Sequence, residues 1–329
     1  MDTRDHQPLL KVEALTVEFP TRHGTLTAVD GISFHIDAGE VLGIVGESGA
    51  GKSLTGAAVI GLLDPPGRIA GGRVFLEGQR IDNLAYESMR RIRGAKIGMV
   101  FQDPLTSLNP LYTIGQQLVE TIRTHTSLGP AAARKRAIEL LHEVGIAAPA
   151  QRIDDYPHRF SGGMRQRVVI ALALCANPRL VIADEPTTAL DVSIQAQIIG
   201  VLKRMCRDHG AAIMLITHDM GVIAETADRV AVIYAGRIIE IGPVAGIIGN
   251  PRHPYTSGLM HCIPRIGDAR ERLAQIDGAM PRLTEQLPGC SFHPRCPRAL
   301  ACCRTEQVGL IAAGQSRVAC WLYAPNGNG

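Results

Sequence analysis

Aromatic side chains are scarce, at 4% of 329 residues. A core built almost without them must come from Ala, Val, Ile and Leu, as parallel sheets commonly do. Long apolar runs are missing as well. The longest, Val168 to Ala176, is about half of what a bilayer span requires, so no membrane-crossing helix is expected. The opening residues Met1-Asp2-Thr3-Arg4-Asp5-His6 contain no apolar export segment, and the chain is expected in the cytosol. Charge of one sign is also lacking. Thirty-four Lys and Arg against 31 Asp and Glu leave +3, which gives no electrostatic reason to expect nucleic acid as a partner. What remains is ordinary: 46% hydrophobic and 20% charged residues exclude a disordered chain. The length suggests about two domains.

Short apolar runs alternate with helical patterns from Leu10 to Ile241. Leu10 to Phe19 alternates and reads as a strand. Val41 to Val45 reads as a compact buried strand, followed by a glycine-rich turn and a helix to about Leu63. Ile97–Phe101, Leu180–Ala183, Ile213–Ile216 and Val230–Ile233 repeat the strand pattern. This order predicts an α/β fold with a mostly parallel central sheet. Residues 103–177 lack clear strands and read as a helical insertion, with Pro130 in the first turn of one helix. Beyond Gly242 prolines recur and periodicity fades. The expected division is therefore 1–245 and a small, loop-rich 246–329.

Gly46-Glu47-Ser48-Gly49-Ala50-Gly51-Lys52-Ser53 is a complete phosphate-binding loop, placed between a strand and a helix. Its glycines allow successive N–H groups to point at phosphate oxygens, and the following helix adds the positive end of its dipole. Lys52 is expected to reach the β- and γ-phosphates and Ser53 to ligate Mg²⁺. Leu180-Val181-Ile182-Ala183-Asp184-Glu185 is an apolar strand ending in two carboxylates. Asp184 fits a Mg²⁺ partner, and Glu185 can orient and polarise water. A helix N-cap pair is the plainer alternative for these acids. Ser161-Gly162-Gly163-Met164 opens a long apolar helix. The Ser cap and the two glycines make a second anion-binding helix start, useful only to a dimer with two nucleotides.

Phosphate loop, Ser-Gly-Gly signature and Asp-Glu strand end resemble, in order and spacing, the ABC ATPases of transporters. The resemblance implies that fold: a P-loop core sheet with an antiparallel β subdomain and a helical subdomain. It implies ATP and Mg²⁺ as cofactors. Gln102 then looks like the Q-loop glutamine that senses Mg²⁺ and the membrane partner, Asp191 like the D-loop acid, and His218 like the switch histidine. Mg²⁺ is expected on Ser53, Gln102 and Asp184. Phe19 falls where that family stacks an aromatic on adenine, with a core position as the alternative. Met164 replaces the commoner glutamine of the signature and leaves its anion site intact.

Val100-Phe101-Gln102-Asp103-Pro104-Leu105-Thr106-Ser107-Leu108-Asn109-Pro110, Glu185 to Val192 and His253-Pro254-Tyr255-Thr256 are similar to one branch, the dipeptide and oligopeptide importer ATPases, in their D-type subunit. That branch implies a related F-type ATPase as partner, two membrane permeases and an extracytoplasmic binding protein. It also implies a place on the cytoplasmic face of the inner membrane. Relatives serving glutathione or nickel leave the cargo open. A soluble ABC ATPase acting on nucleic acid or ribosomes and a P-loop kinase are the rival classes. The first usually joins two cassettes or inserts a coiled coil, and the second has no use for the signature.

Five of eight cysteines crowd the C-terminal region: Cys290, Cys296, Cys302, Cys303 and Cys320. Disulfides do not suit a reducing cytosol, and zinc prefers pairs two to four residues apart. Thiolates spread over a proline-rich loop can enclose a larger iron–sulfur cluster. The tail also resembles the cluster-bearing tails of this branch, which implies a 4Fe–4S cluster on Cys290, Cys296, Cys303 and Cys320, with Cys302 spare. Buried structural cysteines without metal are the alternative.

Overall fold

The computed structural model describes residues 7–188, 190–262, 276–285 and 287–324. The strands in chain order are β1 Leu10–Thr21, β2 Gly24–Ile36, β3 Val41–Val45, β4 Arg68–Leu76, β5 Gln79–Arg80 and β6 Ile97–Val100. Then follow β7 Leu180–Asp184, β8 Ala212–Ile216, β9 Arg229–Tyr234, β10 Arg237–Pro243, β11 Ile311–Ala313 and β12 Ser316–Val318. Two compact units are interleaved along the chain. One takes in residues 7–10, His35–Val41 and the described residues of Phe75–Leu215. The other takes in Lys11–Phe34, Leu42–Val74 and the described residues after Leu215.

In the first unit, β6 and β7 pair in parallel with Ile97 opposite Leu180 and Val100 opposite Ala183, and β8 lies on the other side of β7. Every residue of β7 and β8 is buried, which is why both read as unbroken apolar runs. The expected helical insertion is present as Ile114–His125, Pro130–Glu143 and Gly162–Leu174, with shorter helices between. Thr113 and Gln116 cap the first of these reciprocally. The helix Gly162–Leu174 runs close over β6: a Cβ on Gly98 would lie 2.2 Å from the Ala173 carbonyl oxygen. Only glycine permits that approach, which seats the C-terminal turn of the helix on the sheet.

In the second unit β3 pairs in parallel with β9, and β9 continues antiparallel to β10 through the turn at Ala235 and Gly236. Both turn residues have positive φ, 45° and 77°, as a tight hairpin requires. Strand β10 is flanked on its other side by β12, which pairs antiparallel to β11. The polypeptide beyond residue 245 thus returns to this unit's sheet and extends it by two strands. Val318 and Ala313 are buried, with Ile311, Leu322 and Tyr323 packed around them. Separately, β1 lies between β2 and β4.

Candidate functional site

The phosphate loop joins β3 to the helix Lys52–Ile60. Gly46, Gly49 and Gly51 all have positive φ, 159°, 81° and 101°. A Cβ on Gly46 would lie 2.2 Å from the Ile233 carbonyl oxygen, so the loop sits directly on β9 and tolerates no side chain there. Ala50 is buried, while Ser48, Gly49 and Ser53 face solvent. No side chain caps the helix start at Gly51. Lys52 is 4% exposed, and its Nζ donates to the carbonyls of Gly46 and Glu47, each at 2.9 Å. That draws the ammonium along the loop rather than outward.

Also in the second unit, His218 is exposed in the loop between β8 and the helix Met220–Thr226. Asp219, beside it, caps that helix through Gly221 and Val222. Phe19 is half-buried on β1. Its ring edge would be 2.7 Å from a Cβ on Gly67, so the ring packs closely on the backbone just before β4.

In the first unit, Asp184 ends β7 almost fully buried. Glu185 follows with φ of 44°, an uncommon conformation for a non-glycine residue that is held here by its surroundings. One carboxylate oxygen, Oε2, accepts from Gln102 Nε2 at 3.2 Å and from the Thr188 hydroxyl at 3.0 Å. The structure thus brings together Gln102 and Glu185, residues 83 positions apart. Thr188 is a partner that sequence reasoning missed, although it sits within a stretch already singled out.

Ser161 caps the helix Gly162–Leu174, its hydroxyl accepting from the Met164 N–H at 3.4 Å. Ser161, Gly162, Gly163, Met164 and Asp191 line one groove of about 630 Å³. Asp191 stands at the start of the helix Val192–Asp208 without capping it. Ala189, of the expected D-loop, lies outside the described residues.

The chain matches the family model for "ABC transporter" over residues 29–188 and that for "Oligopeptide/dipeptide transporter, C-terminal region" over residues 239–303. It is 46% identical to the dipeptide transport ATP-binding protein DppD of Escherichia coli K12, over 94% of each chain. It is 45% identical to the oligopeptide transport ATP-binding protein AppD of Bacillus subtilis, over 97% of this chain and 98% of that one. This chain belongs to the ABC transporter family, among its peptide-transport ATP-binding subunits. It is accordingly an ATPase, using ATP with Mg²⁺. The dimeric post-hydrolysis state of the ATP-binding cassette MJ0796 bound to ADP and Pi has a similar fold. Its TM-score is 0.64 at 27% identity, over 71% of this chain and 98% of that one.

The cluster expected on Cys290, Cys296, Cys303 and Cys320 is a correction. Among the described residues no group of three or more His, Cys, Asp or Glu is disposed to hold a metal ion. The four thiols do line a common cavity, and Cys302 does not, but its volume is about 10 Å³. Burial raises Cys290, Cys296 and Cys320 above the usual thiol range, Cys320 to about 11, and neighbouring thiols add to the effect. Burial thus favours the neutral thiol over the thiolate, which is the ligating form. The curated relatives are described by ATP binding and peptide transport alone. Spacing could not reveal how these cysteines are disposed, because that depends on how the segments carrying Cys290 and Cys303 meet. The Cys290 N–H donates to the Cys303 carbonyl at 2.8 Å.

Two further residues touch the phosphate loop and were not foreseen. The Tyr255 hydroxyl accepts from the Glu47 N–H at 2.9 Å. Arg295 Nη1 donates to both Glu47 carboxylate oxygens at 3.0 Å. Burial works against the Arg295 charge, but its hydrogen bonds to Glu47 and Tyr234 outweigh this and raise its pKa. Tyr255 belongs to the His253-Pro254-Tyr255-Thr256 stretch, which marked the branch without indicating a role.

Proposed function

We propose that this chain is the ATP-hydrolysing subunit of an importer that carries di- or oligopeptides across the inner membrane, bound peripherally to the cytoplasmic face. It acts with a related F-type ATPase subunit, two permeases and an extracytoplasmic binding protein. The observation that carries the reading is the groove holding Ser161, Gly162, Gly163 and Asp191. It presents a second helix N-terminus suited to phosphate in a chain that already has a phosphate loop. One chain has a single loop to fill, whereas two subunits arranged head to tail give every signature a nucleotide. Exposed apolar side chains follow Gln102: Leu105, Leu111 and Tyr112 are 62%, 79% and 50% exposed. Such a patch supports docking of the permeases beside Gln102.

Backbone N–H groups of Gly46 to Ser53 and the Lys52 ammonium bind and orient the triphosphate. Ser53, Gln102 and Asp184 offer the hydroxyl, amide and carboxylate oxygens that a hard cation takes, and Mg²⁺ there would offset phosphate charge. Gln102 spends its amide nitrogen on Glu185, which leaves the amide oxygen as the donor of the right chemistry. Glu185 accepts the proton of the attacking water, its Oε2 steadied by Gln102 and Thr188. His218 donates towards the γ-phosphate, and Phe19 supplies a ring face to adenine. Closure of the two subunits excludes bulk water, and hydrolysis reopens them.

Co-expression with the neighbouring permeases and F-type subunit tests this. Glu185→Gln in that complex should keep ATP bound while turnover falls by about a hundredfold or more. Peptide uptake should stop with it. Full turnover in the variant, or copurification with ribosomes instead of permeases, would remove the proposal.

A further inference from the structure

Glu47 is an acid inside a loop built to hold anions. Uncompensated, its charge would oppose a triphosphate. The carboxylate is instead held by Arg295, whose side chain is only 7% exposed. Arg295 is itself fixed from several sides. Its Nε donates to the Asp277 carbonyl at 2.9 Å, Nη2 to the Ile276 carbonyl at 3.2 Å, and Nη1 to the Tyr234 hydroxyl at 3.3 Å. The guanidinium carbon lies 5.8 Å from the Tyr234 ring centre and 5.9 Å from that of Phe292. Tyr234, Tyr255 and Phe292 pack edge to face, with centres 4.7 to 5.4 Å apart. A third contact comes from Met280, whose methyl carbon would lie 3.2 Å from a Cβ on Gly49. A partly buried, multiply anchored ion pair of this kind differs from a fully exposed surface pair, which contributes little.

We infer that Arg295 is a positioning residue for nucleotide binding: it cancels the Glu47 charge and fixes the loop, so that the C-terminal region sets the affinity for ATP. This rests on Gly46 to Ser53 being the triphosphate site. Binding and docking of the C-terminal region are then linked, each favouring the other.

Equilibrium binding of radiolabelled ATP with Mg²⁺ to the full chain tests it. Arg295→Gln exposes an unpaired carboxylate to the ligand and should raise Kd about fivefold or more. Glu47→Gln leaves the cation unpaired and should lower Kd. The double variant removes both charges and should return within about twofold of the parent, because the opposing effects cancel. A purely structural role would make both single variants weaker and the double variant weaker still, and that pattern overturns the inference. Should Arg295→Gln fail to fold, Glu47→Gln decides alone: unchanged or weaker binding refutes it. Lys52→Ala separates the two levels. If it loses ATP while Arg295→Gln and Glu47→Gln change nothing, only the inference fails. If Lys52→Ala binds ATP like the parent, the reading of the loop fails and takes the inference with it.

Discussion

His253 should make the C-terminal region acid-labile well above the pH at which carboxylates protonate. The residue is 1% exposed, and burial pushes its pKa down from 6.5 to about 3. Its Nδ1 accepts the Tyr255 N–H at 3.1 Å, capping the helix Pro254–His261. Its own N–H and that of Arg252 donate to the buried Glu240 carboxylate at 2.9 and 2.8 Å. The ring lies 5.7 Å from Phe292. The fold therefore holds a neutral imidazole that the unfolded chain protonates near 6.5. Stability from this group is complete above 6.5 and is lost as pH falls from there towards 3. Each unit in that window costs about 1.4 kcal/mol, so the step from pH 7 to pH 5 costs about 2 kcal/mol. Other groups titrate over the same range, so the useful quantity is a difference. His253→Asn keeps a capping oxygen for Tyr255 and removes the titration. Trp321, the single tryptophan, lies in the same region and donates to the Glu306 carbonyl at 3.0 Å. Urea unfolding followed by its fluorescence should show the parent losing about 2 kcal/mol more than the variant between pH 7 and pH 5. Parallel pH profiles would refute a buried neutral His253.

Two other predictions concern packing. Phe292 is 2% exposed and touches the rings of Tyr234, Tyr255 and His253. Phe292→Ala should cost about 3–5 kcal/mol in the Trp321 transition and weaken ATP binding through the loss of Arg295 anchoring. Gly98→Ala would drive a methyl into the Ala173 carbonyl and shift the signature helix. It should lower the thermal midpoint and reduce ATPase activity of the assembled complex, whereas unchanged activity would show that the helix position is not critical.

The phosphate loop, the Asp184-Glu185 strand end and the Ser161 helix cap were legible because each is local. A handful of consecutive residues contains its own glycines, cap or apolar run, and backbone sterics do the rest. The buried strands β3, β7 and β8 were legible for the same reason, as uniformly apolar runs. Strands β2, β4, β10, β11 and β12 were not. Several are short or interrupted by polar residues, and β10 buries Glu240 completely. That burial makes sense only once the Arg252 and His253 N–H groups are known to meet its carboxylate.

By itself the sequence determined that this is an ABC-type ATPase of the peptide-transport branch, since the residues that carry the chemistry lie in contiguous motifs. Tertiary structure alone decided what those motifs touch. It paired Gln102 and Thr188 with Glu185, and placed Asp191 in the groove of the Ser161 signature. It set four cysteines around one cavity without the disposition that holds a metal ion among the described residues. It also set Arg295 on Glu47 across 248 residues. Spacing along a chain constrains neighbours within a turn or a strand, but contacts at such separations depend on how the whole core packs.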